Sequence, residues 1–312
     1  MMRVVIAEFM DRSAVASLQS AHDVHYDEAL VDRVTDLEAM VRDAHALIVR
    51  NRTQVNAALL THAGRLRVVG RLGVGLDNID VERCRSLGIE VIAAVGANSR
   101  AVAEYVIVVA MSLLRGISDS TVDVAAGAWP RARMSHGREL AGKTLGIIGF
   151  GSIGREVAGL ARALQMRVIA HDPMLSADVP AWREMSVEPF GLEALLASSD
   201  VVTIHVPLRA DTRHLIDADA LRSMKPDAVI INTARGGVVD EPAIATALRE
   251  NRLGGAALDV YETEPLPSGS PLAGCPRLIL TPHIAGVTAE SNVRVSTMIA
   301  REVDRALTRS SR

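Results

Sequence analysis

The feature that most constrains the fold is a glycine-rich turn near the middle of the chain, Gly149-x-Gly151-x-x-Gly154. An apolar run, Thr144–Ile148, precedes the turn, and a helical pattern over Ser152–Leu164 follows it. This order predicts a buried strand, a sharp turn, and a helix whose first N–H groups face a phosphate. The first glycine lets the chain turn, the second lets a pyrophosphate approach the backbone, and the third lets the helix pack closely on the strand.

An acidic residue follows the next predicted strand. Asp172 comes after the run Arg167–His171, about 20 residues beyond the glycines, where a carboxylate can accept a hydrogen bond from a ribose hydroxyl. A glycine pattern alone also occurs in ordinary turns, but here a strand, a helix and an acid accompany it. We therefore predict a dinucleotide site that takes NAD.

Composition excludes several classes of protein. Hydrophobic residues make up 49% and charged residues 23% of the 312 residues, and the net charge is −3 without a basic block, so we expect neither a nucleic-acid nor a membrane partner. The apolar start of the chain is too short for a signal peptide. Cys84 and Cys275 form no CxxC motif, which favours reduced thiols and a cytoplasmic location. The nine histidines form no HExxH pattern, and we predict no metal site.

Alternation of strands and helices predicts an α/β fold with parallel sheets covered on both faces. In residues 1–97 the predicted helices are Asp32–Ala44 and Val55–Ala63, and the predicted strands are Val4–Ala7, Ala46–Val49, Val68–Gly70 and Glu90–Ala93. Beyond Asp172, the predicted strands are Val201–His205, Ala228–Asn232, Ala256–Val260 and Leu278–Thr281.

The same pattern predicts two domains. A long apolar helix begins near Asn98 and runs to about Arg115, and the irregular stretch 117–143 with its Trp129 is either an arm that packs on a partner subunit or a surface loop. The final helix, Ala289–Leu307, is expected to cross back to the first domain. We therefore expect residues 1–97 and 287–312 to form one discontinuous domain and residues 98–286 the other.

Three chemically suited side chains follow successive strands. Ligands bind beyond the carboxyl ends of strands in such sheets, and Arg235, Glu264 and His283 lie there in the predicted order. An arginine can hold a carboxylate with two hydrogen bonds, and a histidine can exchange a proton with a hydroxyl. A neighbouring carboxylate orients that histidine and favours its protonated form. Together with a nicotinamide cofactor, this set predicts interconversion of a 2-hydroxy acid and a 2-oxo acid.

The chain resembles the D-isomer-specific 2-hydroxyacid dehydrogenases, and among them the phosphoglycerate dehydrogenase-like branch. The resemblance covers essentially the whole chain and depends on six motifs: residues 73–80, 102–104, 149–154, 232–236, 259–265 and 281–283. It implies a Rossmann NAD-binding domain, a flavodoxin-like substrate-binding domain, a cleft between the two domains, and a homodimer built on the nucleotide domain.

The resemblance also implies roles for individual residues. Arg235 would bind the substrate carboxylate, His283 would be the acid/base, and Glu264 would be its partner. Asp172 would hold the adenine ribose, Asp259 the carboxamide, and Ser152 and Ile153 the pyrophosphate. The implied cofactor set is Gly149, Gly151, Ser152, Ile153, Gly154, Asp172, His205, Val206, Pro207, Thr212, Thr233, Ala234, Arg235, Asp259, His283 and Gly286, and the implied substrate set is Arg50, Val74, Gly75, Asn98, Arg235 and His283.

Some alternatives stay open at this stage. Proteins that resemble this family include NAD-sensing corepressors, which can keep the residues that correspond to Arg235, Glu264 and His283. Glu264 differs from the Gln that formate dehydrogenases of the family carry, and Asp172 favours NAD over NADP. Arg50 and Arg52 resemble sulfolactate dehydrogenases of the branch, so we expect a substrate with a second anionic group, although either arginine could simply be solvated surface charge.

Overall fold

The computed structural model describes residues 1–176 and 178–309 of the chain. These residues form two compact units, which we describe separately. One unit is Met1–Asn98 together with the segment that begins at Val287, and the other is Ser99–Gly286.

The first unit is built on a parallel sheet. The elements of Met1–Asn98 are β1 (Arg3–Ile6), α1 (Arg12–Gln19), β2 (Asp23–Tyr26), α2 (Val34–Val41), β3 (Ala46–Val49), α3 (Ala57–Leu60), β4 (Val68–Arg71), α4 (Val81–Ser86) and β5 (Glu90–Ala93), with a 3₁₀ turn at Leu30–Asp32. Among the described residues the strand order is β2-β1-β3-β4-β5, and every pairing is parallel. This is the flavodoxin-like order, as predicted.

The second unit contains the larger sheet. Its elements are α5 (Ser99–Arg115), α6 (Thr121–Ala125), α7 (Arg131–Met134), β6 (Thr144–Ile148), α8 (Ser152–Ala163), β7 (Arg167–His171), α9 (Pro180–Glu184), β8 (Glu188–Pro189), α10 (Leu192–Ser198), β9 (Val201–Ile204), α11 (Ala218–Ser223), β10 (Val229–Asn232), α12 (Glu241–Arg249), β11 (Gly255–Leu258) and β12 (Leu278–Leu280), with a 3₁₀ turn at Ile117–Ser120. The strand order is β12-β11-β10-β9-β6-β7-β8 within the described chain. It contains the doubly wound arrangement of a Rossmann fold, in which the order reverses beside β6.

Apolar side chains cover both faces of each sheet, as predicted for parallel strands. In the first unit, α13 (Ala289–Arg309) packs with α1 on one face of the sheet, and α2 and α3 cover the other face. In the second unit, α5 and α8 cover one face and α10, α11 and α12 the other. Polar side chains cap several of the helices; Asp240, for example, accepts a hydrogen bond from the Ala243 N–H at the start of α12.

Several predicted bounds were wrong for local reasons. The helix predicted at Asp32–Ala44 is shorter because a 3₁₀ turn takes up Leu30–Asp32, and the helix predicted at Val55–Ala63 begins only after Asn56, which caps it. The sequence pattern did not predict four short elements: the edge strands β2 and β8 and the helices α1 and α4. The two edge strands are short and carry polar or proline residues, so they lack the apolar run by which the central strands were recognised.

No helix in the described part of the chain is long and apolar enough to cross a membrane.

Candidate active site

The glycine turn has the close contacts that its spacing predicts. Gly149 has φ +96°, and a Cβ at this position would lie 2.7 Å from the His205 carbonyl oxygen. A Cβ on Gly154 would overlap the carbonyl oxygen of Gly149. These two positions therefore accept only glycine without displacing β6, β9 or α8.

The middle glycine has a different environment. No heavy atom lies within 4 Å of the position that a Cβ on Gly151 would occupy, so the backbone there faces open space. Gly151 is the N-cap of α8 and provides no side-chain hydrogen bond, and the first turn of the helix contains no acidic residue. Ser152 and Ile153 are its first two residues. The open backbone and the positive helix terminus fit a pyrophosphate.

Asp172 lies directly against this turn. Its Oδ2 accepts a hydrogen bond from the Phe150 N–H at 2.9 Å, and its Oδ1 accepts one from the Met174 N–H at 3.0 Å. The carboxylate is therefore fixed between the end of β7 and the glycine turn. Its position and charge fit a ribose hydroxyl and disfavour a phosphate on that ribose.

His205 and its neighbours follow β9. The Nε2 atom of His205 lies 3.0 Å from Thr203 Oγ1, its Nδ1 lies 3.5 Å from Thr233 Oγ1, and burial lowers its pKa to about 3. His205 is therefore a neutral imidazole at physiological pH. Thr212 Oγ1 donates to the Pro207 carbonyl oxygen at 2.7 Å and so fixes the turn after Val206.

A buried asparagine shapes the loop that carries Arg235. Asn232 is 1% exposed; its Nδ2 donates to the Arg235 carbonyl oxygen at 2.9 Å, and its Oδ1 accepts from the Ala234 N–H at 3.0 Å. The Arg235 guanidinium donates to the Ala234 carbonyl oxygen at 2.6 Å. A Cβ on Gly236 would overlap the carbonyl group of Tyr261, so this loop and the segment that contains Glu264 touch through their backbones.

Glu264 and His283 form the predicted pair. The Nδ1 atom of His283 lies 2.8 Å from Glu264 Oε2, and Glu264 Oε1 accepts from the Tyr261 N–H at 3.1 Å. Because a carboxylate only accepts, Nδ1 is the donor, and the Nε2 atom is left to act on a substrate. The structure thus places a fixed histidine beyond the carboxyl end of β12 and an arginine loop beyond that of β10, with β11 between the two strands.

Asp259 has a structural role besides the carboxamide contact that the family resemblance implies. It is 1% exposed, its Oδ1 accepts from Thr281 Oγ1 and the Ile284 N–H, and its Oδ2 accepts from the Ala285 N–H. The sequence did not predict that the Asp259 carboxylate holds the residues on both sides of His283. Contact of Asp259 with a carboxamide stays a prediction, and so does a cofactor contact at Gly286.

Four of the predicted substrate residues, Arg50, Val74, Gly75 and Asn98, belong to the first unit, where Glu8 organises the segment around Arg50. The buried Glu8 carboxylate accepts hydrogen bonds from the N–H groups of Arg50, Arg52 and Thr53 at 2.8–3.1 Å. Glu8 was not predicted, because nothing in the local sequence shows that its carboxylate meets a segment more than 40 residues away.

The two arginines of that segment have unlike surroundings. Arg50 Nη2 donates to Asn292 Oδ1 at 3.0 Å, its guanidinium lies 5.7 Å from the centre of the Phe9 ring, and burial lowers its pKa. Arg52 is exposed and pairs with the Asp32 carboxylate. Arg50 is therefore the better candidate for a ligand anion, and the expectation for Arg52 loses support.

Three other predicted substrate positions are half-buried in the same unit. Val74 and Gly75 follow Gly73, whose φ is +157°. The Oδ1 atom of Asn98 is buried and accepts no hydrogen bond from a described residue, which suits a ligand contact. Within the described residues, no group of three or more His, Cys, Asp or Glu side chains could hold a metal ion.

Comparisons with known proteins agree with this chemistry. Residues 107–285 match the family model of the D-isomer specific 2-hydroxyacid dehydrogenase, NAD binding domain. The chain is 51% identical to the (S)-sulfolactate dehydrogenase of Chromohalobacter salexigens over 97% of this chain and 98% of that protein. It is 37% identical to the D-3-phosphoglycerate dehydrogenase of Methanocaldococcus jannaschii over 98% of this chain, but it spans only 58% of that protein.

A solved structure shows the same architecture. The TT0316 protein from Thermus thermophilus superposes with a TM-score of 0.89 at 32% identity, covering 98% of this chain and 97% of that chain. The similarity therefore extends over both units of the chain.

Proposed function

The chain belongs to the D-isomer specific 2-hydroxyacid dehydrogenase family, and from this premise we propose that its substrate is a small D-2-hydroxy acid with a second anionic group, sulfolactate above all. It is an NAD-dependent oxidoreductase that interconverts a 2-hydroxy acid and a 2-oxo acid. The full-length identity to a sulfolactate dehydrogenase carries the substrate proposal. The S label of sulfolactate denotes the D arrangement of groups, because the sulfonated carbon outranks the carboxyl carbon in the priority rules.

The residues of the second unit supply binding and proton transfer in this proposal. Arg235 holds the substrate carboxylate, and His283 takes the hydroxyl proton during oxidation or returns it to the carbonyl oxygen during reduction. Glu264 keeps the His283 ring oriented through the 2.8 Å contact to Nδ1. A nicotinamide cofactor bound at the glycine turn would supply hydride transfer to or from C2 of the substrate.

Arg50 is our candidate for the second anion. It is half-buried, and its guanidinium makes no hydrogen bond with a described carboxylate, while Phe9 and Asn292 fix its direction. A cation held in this way carries a desolvation cost that an anionic ligand offsets with charge-assisted hydrogen bonds. Arg52 already has Asp32 as its partner and serves as the matched control.

The test is a comparison of four 2-oxo acids with NADH: sulfopyruvate, phosphohydroxypyruvate, hydroxypyruvate and pyruvate. We expect the highest kcat/KM for sulfopyruvate. Arg50→Ala should lower kcat/KM for the sulfonate and phosphate substrates by roughly 10- to 150-fold, because each lost charge-assisted hydrogen bond is worth about 1.5–3 kcal/mol, and should change that for pyruvate little. Arg52→Ala should leave all four nearly unchanged. Equal loss for all four substrates in Arg50→Ala, or wild-type turnover of pyruvate as efficient as that of sulfopyruvate, would contradict the proposal.

The enzymatic hypothesis is favoured over the corepressor alternative. The relatives reported above are named as dehydrogenases. Turnover of any of the four 2-oxo acids by the purified chain discriminates the two directly, since a sensor that only binds NAD would show none.

We further propose that the unit Ser99–Gly286 binds NAD, that the other unit serves the substrate, and that the protein is a homodimer. Support for the dimer comes from apolar side chains left exposed on α5 and on the segment after it. They include Val108 (64% exposed), Ile117 (61%), Val122 (80%) and Trp129 (79%). An apolar cluster of this kind on one region of a chain marks a protein contact.

Light scattering after size exclusion tests the dimer. We expect twice the 33.3 kDa mass for the wild type and the monomer mass for Val122→Asp/Trp129→Ser. Val34→Ser, which changes an exposed valine (61%) of the other unit, is the control and should stay dimeric. A monomeric wild type at micromolar concentration would contradict the proposal.

A cytoplasmic location is also our proposal. Cys84 and Cys275 are free thiols in the structure, as expected in a reducing compartment. Cell fractionation followed by detection of the protein tests the location, and recovery in a secreted fraction would contradict it.

A further inference from the structure

The backbone of His283 is in a conformation that its surroundings must maintain. His283 has φ +57°, in the left-handed region that residues other than glycine rarely adopt. Such a conformation persists only where neighbouring groups determine it. The contacts that hold residues 281–285 therefore decide where the imidazole ring lies.

One buried carboxylate holds both flanks of the histidine. Asp259 Oδ1 accepts from Thr281 Oγ1 at 2.6 Å and from the Ile284 N–H at 2.8 Å, and Oδ2 accepts from the Ala285 N–H at 2.8 Å. The His283 N–H in turn donates to the Thr281 carbonyl oxygen at 3.0 Å. A rotation of the Asp259 carboxylate would move the backbone on both sides of His283.

The rotation is limited by a tyrosine on α5. The Tyr105 hydroxyl lies 2.6 Å from Thr281 Oγ1. Thr281 has one hydroxyl proton, and Asp259 accepts it, so the Tyr105 hydroxyl is the donor in this contact. Burial raises the pKa of Tyr105, which keeps its proton in place at physiological pH.

We propose that Tyr105 is a positioning residue for His283, acting through Thr281 and Asp259. The phenol fixes the direction of the Thr281 hydroxyl, the hydroxyl fixes the carboxylate, and the carboxylate holds the two N–H groups that follow the histidine. The chain of contacts ends at the imidazole and does not include the substrate. The proposal depends on the catalytic role of His283 in the proposed function.

Tyr105→Phe removes only the donor. We expect kcat for 2-oxo acid reduction to fall by roughly 2- to 10-fold, the range for loss of one neutral hydrogen bond, with the KM for NADH unchanged. The primary isotope effect on kcat with deuterated NADH should rise, because a displaced imidazole slows the chemical step. Tyr26→Phe is the matched control: its hydroxyl bonds Met10 and Glu28 in the other unit, and its kcat should stay at the wild-type value.

A double-mutant cycle separates positioning from a general loss of stability. Thr281→Val removes the relaying hydroxyl and Thr281→Ser keeps it. In the Thr281→Val background, Tyr105→Phe should have no further effect on kcat, whereas in the Thr281→Ser background it should have its full effect. Equal effects of Tyr105→Phe in both backgrounds, or a wild-type kcat in Tyr105→Phe, would overturn the proposal.

The His283→Ala variant distinguishes failure of this inference from failure of the proposed function. If His283→Ala retains wild-type turnover, the acid/base assignment itself is wrong. If His283→Ala loses turnover and Tyr105→Phe does not, only the positioning role of Tyr105 is wrong.

Discussion

The Nδ1 atom of His283 lies 2.8 Å from Oε2 of Glu264, and the other oxygen of that carboxylate accepts the Tyr261 N–H. Glu264 therefore has both oxygens occupied, one by the ring and one by its own loop. This arrangement holds the imidazole in the tautomer whose Nε2 atom is available to a substrate.

Replacement of Glu264 by Gln should keep the shape of this contact and remove its charge. We expect kcat for 2-oxo acid reduction to fall by roughly tenfold, because a charge-assisted hydrogen bond is about twice as strong as a neutral one. Steady-state kinetics measure the loss, and NADH affinity, which should stay unchanged, is the control. A wild-type kcat in Glu264→Gln would exclude Glu264 as the partner.

Acid should destabilise the protein partly through His205. Its pKa is about 3 in the folded chain and about 6.5 in an unfolded chain, so only the unfolded state binds this proton between those values. The stability that depends on this group is therefore complete above about pH 6.5 and is lost as the pH falls towards 3. The free energy of unfolding of the wild type should fall between pH 7.5 and about pH 4.5. In His205→Asn this fall should be smaller by roughly 2–3 kcal/mol.

Urea unfolding of the two proteins at both pH values measures that difference. His136→Asn, a change of an exposed histidine, is the control and should behave as the wild type. An equal loss of unfolding free energy in the wild type and in His205→Asn would show that the imidazole is not held neutral in the folded chain.

The site is unevenly predictable from the sequence. The glycines were predicted because each is required by a local geometry, such as φ +96° at Gly149. The side chains of Arg235, Glu264 and His283 were predicted because each follows an apolar strand. The contact of Tyr105 with Thr281 joins residues 176 positions apart, so it exists only after α5 has packed on the sheet. Glu8 likewise meets residues more than 40 positions away.

The strands of the two sheets were also unevenly predictable from the sequence. The central strands β3, β6 and β9 have continuous apolar runs and were predicted, with small differences in their bounds. Strand β2 has the sequence Asp-Val-His-Tyr, which pairs only because β1 offers a parallel edge. Strand order was predicted from the family resemblance and not from pattern, since hydrophobic periodicity carries no information about which strands become neighbours.

Two glycines of α8 should respond oppositely to the same substitution. A Cβ on Gly154 would overlap the Gly149 carbonyl oxygen, whereas a Cβ on Gly159 would have no heavy atom within 4 Å. Gly154→Ala should lower the free energy of unfolding by about 1–3 kcal/mol and weaken NADH binding, because α8 must move away from the phosphate turn. Gly159→Ala should raise the free energy of unfolding by roughly 0.5–1 kcal/mol, since alanine is the better helix former. Denaturant unfolding and NADH fluorescence titration measure these effects, and wild-type NADH affinity in Gly154→Ala would contradict the assigned role of the turn.

Asp172 should set the choice between NADH and NADPH. Its carboxylate is fixed by the N–H groups of Phe150 and Met174, so it cannot turn away from a ribose phosphate without giving up both hydrogen bonds. A phosphate placed there would lose a hydrogen bond and meet a like charge, and every 1.4 kcal/mol lost corresponds to about tenfold in affinity. We expect the wild type to prefer NADH by roughly 10- to 100-fold in kcat/KM.

Because Asp172→Ser also removes a support of the glycine turn, the measured quantity is the ratio of kcat/KM for the two cofactors, which should fall towards one. Asp178→Ser, a change of an exposed acid a few residues on, is the control and should keep the wild-type ratio. Equal wild-type efficiencies with NADH and NADPH, or an unchanged ratio in Asp172→Ser, would show that another group discriminates between the cofactors.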